Sequence, residues 1–121
     1  VAMVIELNFS ANYLRFLNLV QAIRQIPTFP AMDPVEERLL TMLAGGWHLE
    51  KKITVLEAMG LTHEISATTA HRRLKTLRKK GMIELDTDKQ DSRVKYVVPT
   101  ELAKQYFSTL GQALNKAQQG I

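Results

Sequence analysis

Basic and hydroxyl side chains are concentrated in one stretch of this 121-residue chain, from Ser66 to Lys80. No acidic residue occurs between Ile65 and Ile83, and the cations of that segment are Arg72, Arg73, Lys75, Arg78, Lys79 and Lys80. Arg can donate two hydrogen bonds to guanine, Thr can bond a base edge or touch a thymine methyl group, and Lys suits phosphates. These residue types predict contact with double-stranded DNA.

The apolar residues of the same stretch have helical spacing. Ser66 suits the N-cap of a helix that Gly81 ends, and the predicted buried stripe consists of Ala67, Ala70, Leu74 and Leu77. The opposite face carries Thr68, Thr69, Arg72, Thr76 and Lys79, with Arg73 and Lys75 on its flanks. By charge alone, an ordinary solvated helix face is the more common interpretation. The predicted elements around the helix must therefore decide between contact with DNA and an ordinary solvated face.

Two helices are predicted ahead of a short third one. Apolar spacing predicts the first from Asn8 to about Ile26, where Pro27 stops it. Asp33, Pro34 and Glu36 are typical of a capped helix start, and this second helix is expected to bury Val35, Leu39, Leu40 and Leu43 and to end near Gly45-Gly46. Trp47 and His48 are then expected in a short strand or turn, with Trp47 packed between the second helix and a later hairpin.

A short helix precedes the basic one, and a hairpin and a final helix follow it. Thr54 and Glu57 predict a capping box for the third helix, which should bury Leu56, Met59 and Val55 and close around Gly60 or Leu61. Residues 82–85 and 94–98 predict two strands joined by a charged tip, and residues from Pro99 onward predict the last helix. A short helix, a turn, a basic helix and a two-stranded ribbon are the order of a winged helix-turn-helix, which favours DNA binding over a merely solvated face.

Residues 66–83 resemble the recognition helix and first wing strand of MarR-type transcriptional regulators. The resemblance extends over roughly residues 33–107, with Asp88, Asp91 and Arg93 similar to the wing-tip signature and Thr100-Glu101 similar to the start of the next helix. Ser92 departs from the pattern, because the family commonly has a basic residue there, and one helix follows the wing where the family usually has two. The resemblance implies that Arg93 approaches a minor groove; alternatively, Asp91 and Arg93 only stabilise the hairpin tip.

The composition of the chain argues against several other classes of function. The chain has no cysteine, which excludes disulfides and thiolate metal sites, and its 16 Lys and Arg against 12 Asp and Glu give a formal charge of +4 that favours anionic partners. Its three histidines have no metal-ligand spacing, and no complete catalytic motif occurs. We therefore expect no enzyme activity and no cofactor. No apolar run is long enough to cross a bilayer, so a cytoplasmic protein without membrane contact is expected.

The sequence thus predicts an α+β, mainly helical fold: a winged helix-turn-helix domain over residues 33–99, an N-terminal helix and connector over 1–32 and a C-terminal helix over 100–121, all in one domain. The terminal helices are expected to form a homodimer that represses transcription at a palindromic operator, with any small-molecule effector unidentified. The expected DNA-binding residues are Ser66, Thr68, Thr69, Arg72, Arg73, Lys75, Thr76, Lys79, Lys89, Arg93 and Lys95. The alternative is a winged-helix module that binds another protein.

Overall fold

The computed structural model describes the backbone of residues 2–120 and the side chains of residues 9–120. Its elements, in chain order, are α1 (Ala2–Arg24), α2 (Pro34–His48), β1 (Ile53–Thr54), α3 (Val55–Met59), α4 (Ala67–Lys79), β2 (Ile83–Thr87), β3 (Lys95–Pro99) and α5 (Glu101–Gln119). None of the helices described is at once long and apolar enough to span a bilayer. The predicted mainly helical α+β class is confirmed.

The chain divides into two compact units. One contains Met32–Ala103, and the other contains the segment up to Ala31 together with the segment from Lys104 onward. In this second unit α1 buries Val20 and Ile23, and α5 buries Ala113 and Ala117. The Phe29 and Tyr106 rings meet edge to face with centroids 5.2 Å apart, a favoured aromatic arrangement.

The unit Met32–Ala103 is a winged helix-turn-helix. Its three strands form an antiparallel sheet in the order β1-β3-β2, in which Val97 of β3 lies between Ile53 of β1 and Leu85 of β2. The core of this unit contains Leu39, Leu40, Leu43, Ile53, Ala58, Ala70, Leu74, Leu77, Met82, Ile83, Val97 and Ala103. The two predicted strands of the hairpin are confirmed, whereas β1 was not predicted, because a two-residue strand has too few residues for an alternating pattern.

The predicted end of α2 was wrong. The helix continues through Gly45 and Gly46 to His48, so Trp47 is helical and not part of a strand or turn. Gly46 lies where α2 passes β1, since a Cβ there would come within 2.6 Å of the Ile53 side chain. The left-handed residue that ends the helix is Glu50, with φ of 60°, and the N–H of Lys51 donates to the Gly46 carbonyl at 3.0 Å. A non-glycine residue in this role gives little sequence signal.

Five residues expected in the core are not fully buried, among them Val55 and Met59, which are half-buried. Leu56 and Ala67 are exposed, and Val35 is only half-buried, while the next residue, Glu36, is buried. Leu56 lies in a five-residue helix that covers the core with Ala58 instead, and Ala67 occupies the first turn of α4, ahead of the part that packs. Apolar character alone did not distinguish these positions from the core. Trp47, as expected, joins α2 to the wing, because its Nε1 donates to the Val97 carbonyl at 2.9 Å.

Candidate DNA interface

Helix α4 begins and ends with strong local signals. The Ser66 hydroxyl accepts the Thr69 N–H at 3.1 Å and donates to the Thr69 hydroxyl at 2.9 Å, which confirms the predicted N-cap. At the other end Gly81 takes a φ of 80°, and the Met82 N–H donates to the Leu77 carbonyl at 3.0 Å in a Schellman motif. Local residue types therefore determine both ends of α4: a serine that suits an N-cap and a glycine that accepts a positive φ.

The buried stripe of α4 holds its polar face outward. Ala70, Leu74 and Leu77 are buried, and on the other side the exposed residues are Thr68, Arg72, Lys75, Arg78 and Lys79. The first turn contains no acidic residue. Of the predicted contact residues of α4, Thr68, Arg72, Lys75 and Lys79 are thus exposed on one surface, where a helix of this width can enter a major groove.

Two of the predicted contact residues have partners of their own within α4. The half-buried Thr76 donates its hydroxyl to the Arg72 carbonyl at 3.0 Å, and Thr69 is engaged by the Ser66 cap. The Thr76 hydroxyl, which donates, keeps its lone pairs for an outside partner, whereas the Thr69 hydroxyl accepts from Ser66 and keeps its O–H. Both threonines are half-buried, whereas Arg72 and Lys75 are exposed.

Arg73 is directed toward α2. Its Nη1 lies 2.7 Å from Oδ2 of Asp33, both side chains are about one-third exposed, and its Nε is buried without a hydrogen-bond partner in the described part of the chain. The N–H of Glu36 and then the Arg73 guanidinium hold the pKa of Asp33 below its usual value. Arg73 thus anchors α4 in addition to any contact it makes with DNA.

Lys80 provides a second anchor two turns further along α4. Its Nζ lies 2.8 Å from Oε1 of Glu36, which is only 1% exposed and which also accepts the Asp33 N–H at 2.9 Å. The two residues of the α2 capping box therefore each bind a cation of α4, seven positions apart and on one side of that helix. This pair of contacts fixes the rotation of α4 about its axis, so the opposite face points to solvent.

Sequence reasoning recognised Asp33 and Glu36 as a capping box but missed this second role. The only sequence signal is that Glu36 stands at a position otherwise suited to an apolar residue, between the half-buried Val35 and the buried Leu39. The capping role already accounts for both carboxylates from their neighbouring residues, so the local sequence gives no reason to expect further partners. Their cationic partners are about forty residues distant in the chain, where no periodicity connects them.

The wing tip is a compact hydrogen-bonded turn. Oδ2 of Asp88 accepts the N–H groups of Gln90 and Asp91, each at 2.9 Å, and its Oδ1 accepts the Tyr96 hydroxyl at 2.8 Å. The Tyr96 hydroxyl, followed by the two N–H groups, lowers the pKa of Asp88, and the same bond to Asp88 raises the pKa of Tyr96. Asp88 thus gives the hairpin tip a fixed shape.

Arg93 lies at the outermost part of this turn. Its Nε and backbone N–H both bond Oδ1 of Asp91, at 3.1 and 3.0 Å, and its side chain is 89% exposed. The Arg93 guanidinium is the main cause of the lowered pKa of Asp91. Lys89 is also exposed, and Lys95 donates to the Thr87 hydroxyl at 3.1 Å. The three wing cations therefore lie on one hairpin, with Arg93 oriented by Asp91 yet accessible.

A winged helix-turn-helix with an outward-facing cationic helix is the class of fold that these elements define. Comparison with solved structures agrees with the fold. The chain matches the heme sensor protein PefR from Streptococcus agalactiae in complex with heme, with a TM-score of 0.58 and 24% identity over 98% of this chain and 75% of that one.

Two further structures have the same fold. Heme-free PefR matches with a TM-score of 0.53 and 24% identity over 98% of this chain and 94% of its own, and a probable transcriptional regulator from Pseudomonas aeruginosa matches with a TM-score of 0.51 and 15% identity over 100% and 84%. No protein-family model and no curated protein matches the sequence. At these identities the likeness shows the fold.

Proposed function

We propose that this protein is a MarR-type transcriptional repressor that binds double-stranded DNA sequence-specifically. The observation that carries the proposal is the exposed face of α4, where Arg72, Lys75 and Lys79 project on the side opposite the core and no carboxylate competes for them within that helix. Arg72 would read base edges, and Lys79 would neutralise a phosphate. The probable transcriptional regulator among the structural neighbours supports the same class of function.

The wing would supply a second contact. Arg93 is exposed, and Asp91 holds its guanidinium at the tip of the hairpin, where it would enter a minor groove narrowed by A·T-rich sequence. Lys89 and Lys95 on the same hairpin would bind the adjacent phosphates. Since an exposed ion pair contributes at most about 1 kcal/mol, Arg93 can leave Asp91 for DNA with little loss.

The terminal helices would form a homodimer. On α1 the exposed residues Phe9, Tyr13 and Leu17 recur every four positions, with Leu14 beside them, and Leu114 of α5 is also exposed. A contiguous apolar stripe of this kind is typical of an interface. A two-fold axis would place two α4 helices about 34 Å apart on a palindromic operator. Two PefR structures among the matches, one holding heme, support a small-molecule effector as part of the proposal.

Affinity for duplex DNA tests the proposal. Operator fragments are first selected from genomic DNA, and binding of selected and random duplexes is then measured by fluorescence anisotropy at several salt concentrations. Arg72→Ala should weaken binding to the selected site by about 1 to 3 kcal/mol and affect random duplexes less, because Arg72 would contact bases. Lys79→Ala should weaken binding to both duplexes alike and lower the salt dependence, because Lys79 would contact a phosphate.

Lys116→Ala is the matched control. It removes one exposed positive charge from the last turn of α5, which is not among the proposed DNA-contacting elements, and should leave both affinities unchanged. An equal loss on both duplexes for Arg72→Ala would contradict base reading. Affinity without salt dependence would contradict the phosphate contacts, and no measurable affinity for any duplex would contradict DNA binding and favour the protein-binding alternative.

A further inference from the structure

The cations of α4 include two groups with different surroundings. Arg72, Lys75 and Lys79 are exposed. Arg73 and Lys80 are each paired with a carboxylate of the α2 capping box. Because Arg73 and Lys80 are seven positions apart, they project from the same edge of the helix, about 10 Å apart along its axis. The two carboxylates therefore hold one edge of α4 at two points that are two turns apart.

Both carboxylates have fixed positions of their own, because each is bonded to the first turn of α2. Oδ1 of Asp33 accepts the Glu36 N–H at 2.8 Å, which leaves Oδ2 for Arg73. Oε1 of Glu36 accepts the Asp33 N–H at 2.9 Å and lies 2.8 Å from Nζ of Lys80. Apolar packing has no preferred direction, whereas a hydrogen bond requires a defined distance and angle. These pairs therefore select one rotation of α4 against α2.

Arg73 differs from an arginine that is accessible to DNA. Its Nε is buried, its Nη1 lies 2.7 Å from Oδ2 of Asp33, and its side chain is only 30% exposed. Arg93 of the wing also pairs with an aspartate, but its side chain is 89% exposed. To reach a phosphate, Arg73 would have to leave Asp33 and withdraw its buried Nε from the protein. The burial of Nε therefore favours a positioning role for Arg73 over a phosphate contact.

Base reading is sensitive to the rotation that these pairs select. A turn of about 20° moves the surface of a helix that is about 5 to 6 Å in radius by roughly 2 Å. Since N–H···O bonds weaken beyond about 3.2 Å, a shift of that size breaks the contact between an arginine and a guanine. Phosphate contacts by lysine tolerate the shift, because the ammonium group is a point charge on a flexible stem. A changed rotation would thus lower the affinity for one sequence and leave the affinity for random DNA nearly unchanged.

We propose that Asp33 is a positioning residue for base recognition: its ion pair with Arg73 sets the rotation of α4 in the major groove, and Arg73 itself makes no contact with DNA. The ion pair at Lys80 supports the same rotation from a second point. The inference rests on the proposed DNA-binding function. It assigns part of the sequence specificity to a carboxylate of α2, outside the helix that reads the bases. Asp33 acts through Arg73 on the direction in which Arg72 projects.

The experiment compares Asp33→Asn, Arg73→Met and the double variant in the whole chain. Asparagine keeps a side-chain oxygen that can cap α2 and removes the charge that holds Arg73. Fluorescence anisotropy measures the affinities for the selected and a random duplex at several salt concentrations, under conditions in which urea unfolding shows each variant to be folded. Each single substitution should weaken binding to the selected duplex by about fivefold or more and change binding to the random duplex by less than about twofold. The double variant should lose no more than either single one, because both substitutions break the same pair.

Glu84→Gln is the matched control. It removes one negative charge from an exposed residue of β2 that belongs to neither ion pair. A less negative protein binds every duplex somewhat more tightly, so this variant should leave the ratio of the two affinities unchanged. The control thus separates the loss of the Asp33 pair from a general change in net charge.

A phosphate contact by Arg73 predicts different results. Arg73→Met would then weaken binding to both duplexes and lower the salt slope by about one, and Asp33→Asn would release Arg73 and tighten binding to random DNA. Either result would overturn the inference, as would a ratio of affinities that Asp33→Asn leaves unchanged. If Arg73→Met does not fold, the Asp33→Asn measurements decide by themselves. A wild-type protein without preference for the selected duplex would instead contradict the proposed function and, with it, the inference that rests on it.

Discussion

Removing Lys80 should strongly destabilise the winged-helix unit. Lys80→Met keeps the length of the side chain but leaves the Glu36 carboxylate, 1% exposed, without its ammonium partner at 2.8 Å. Oε1 would keep the Asp33 N–H, while Oε2 already has no hydrogen-bond partner among the described residues. Breaking a buried ion pair from one side costs about 3 to 5 kcal/mol, because a buried charge is left uncompensated. That is a large part of the roughly 5 to 15 kcal/mol by which a domain is stable.

Removing the charge of Glu36 instead should lower the free energy of unfolding by less. Glu36→Gln keeps an acceptor for the capping box, and it leaves behind Lys80, which is 29% exposed and can turn its ammonium to water. We expect a loss of about 1 kcal/mol, the usual net value of a hydrogen bond. The double variant should be more stable than Lys80→Met alone, because a neutral amide at position 36 no longer places a buried charge opposite the methionine.

Urea unfolding followed by circular dichroism gives the three free energies, and the double-mutant cycle isolates the coupling between positions 36 and 80. Lys79→Met is the matched control, since it removes a neighbouring exposed lysine and should change the free energy of unfolding by no more than about 0.5 kcal/mol. A loss for Lys80→Met as small as that of the control would refute the buried ion pair. Equal losses for Lys80→Met and Glu36→Gln would refute the asymmetry that we derive from their burial.

Two further predictions concern the terminal helices and the wing. Tyr13→Asp should convert the proposed dimer to a monomer in sedimentation at tens of micromolar, on the order of usual assay concentrations, because a charge would enter an apolar interface. Leu49→Asp introduces the same charge at a comparably exposed leucine and should leave the dimer intact. A wild-type protein that sediments as a monomer would contradict the interface. The pKa of Asp88 is lowered in the folded chain, so its contribution to stability is present above the ordinary value of 3.8 and is lost as the pH falls below it. In Tyr96→Phe, which lacks this hydrogen bond, the free energy of unfolding measured in urea should therefore fall less between about pH 6 and about pH 3 than it does in the wild type. An equal fall in both proteins would contradict the role of this hydrogen bond.

Much of the fold follows from local signals in the sequence. Asp33 and Thr54 open their helices with complete capping boxes, Ser66 caps α4, and Gly81 ends it, because each residue type satisfies backbone groups that its own neighbours expose. The helical spacing of Leu74 and Leu77 placed the cations on the opposite face for the same reason. Information of this kind acts within one or two turns of the chain, so the sequence alone determined the helices, the hairpin, their order and the chemical character of the α4 surface.

The tertiary structure decided which local signals are used. Gly46 could have ended α2, but the approach of Ile53 makes it a packing position, and Glu50 ends the helix instead. Leu56 could have been part of the core, but the short α3 leaves it exposed. Glu36 was recognisable as a cap, and only the folded chain brings Lys80 to it from 44 residues away. Such contacts depend on which surfaces meet, and a single sequence contains no periodicity that records distant pairs.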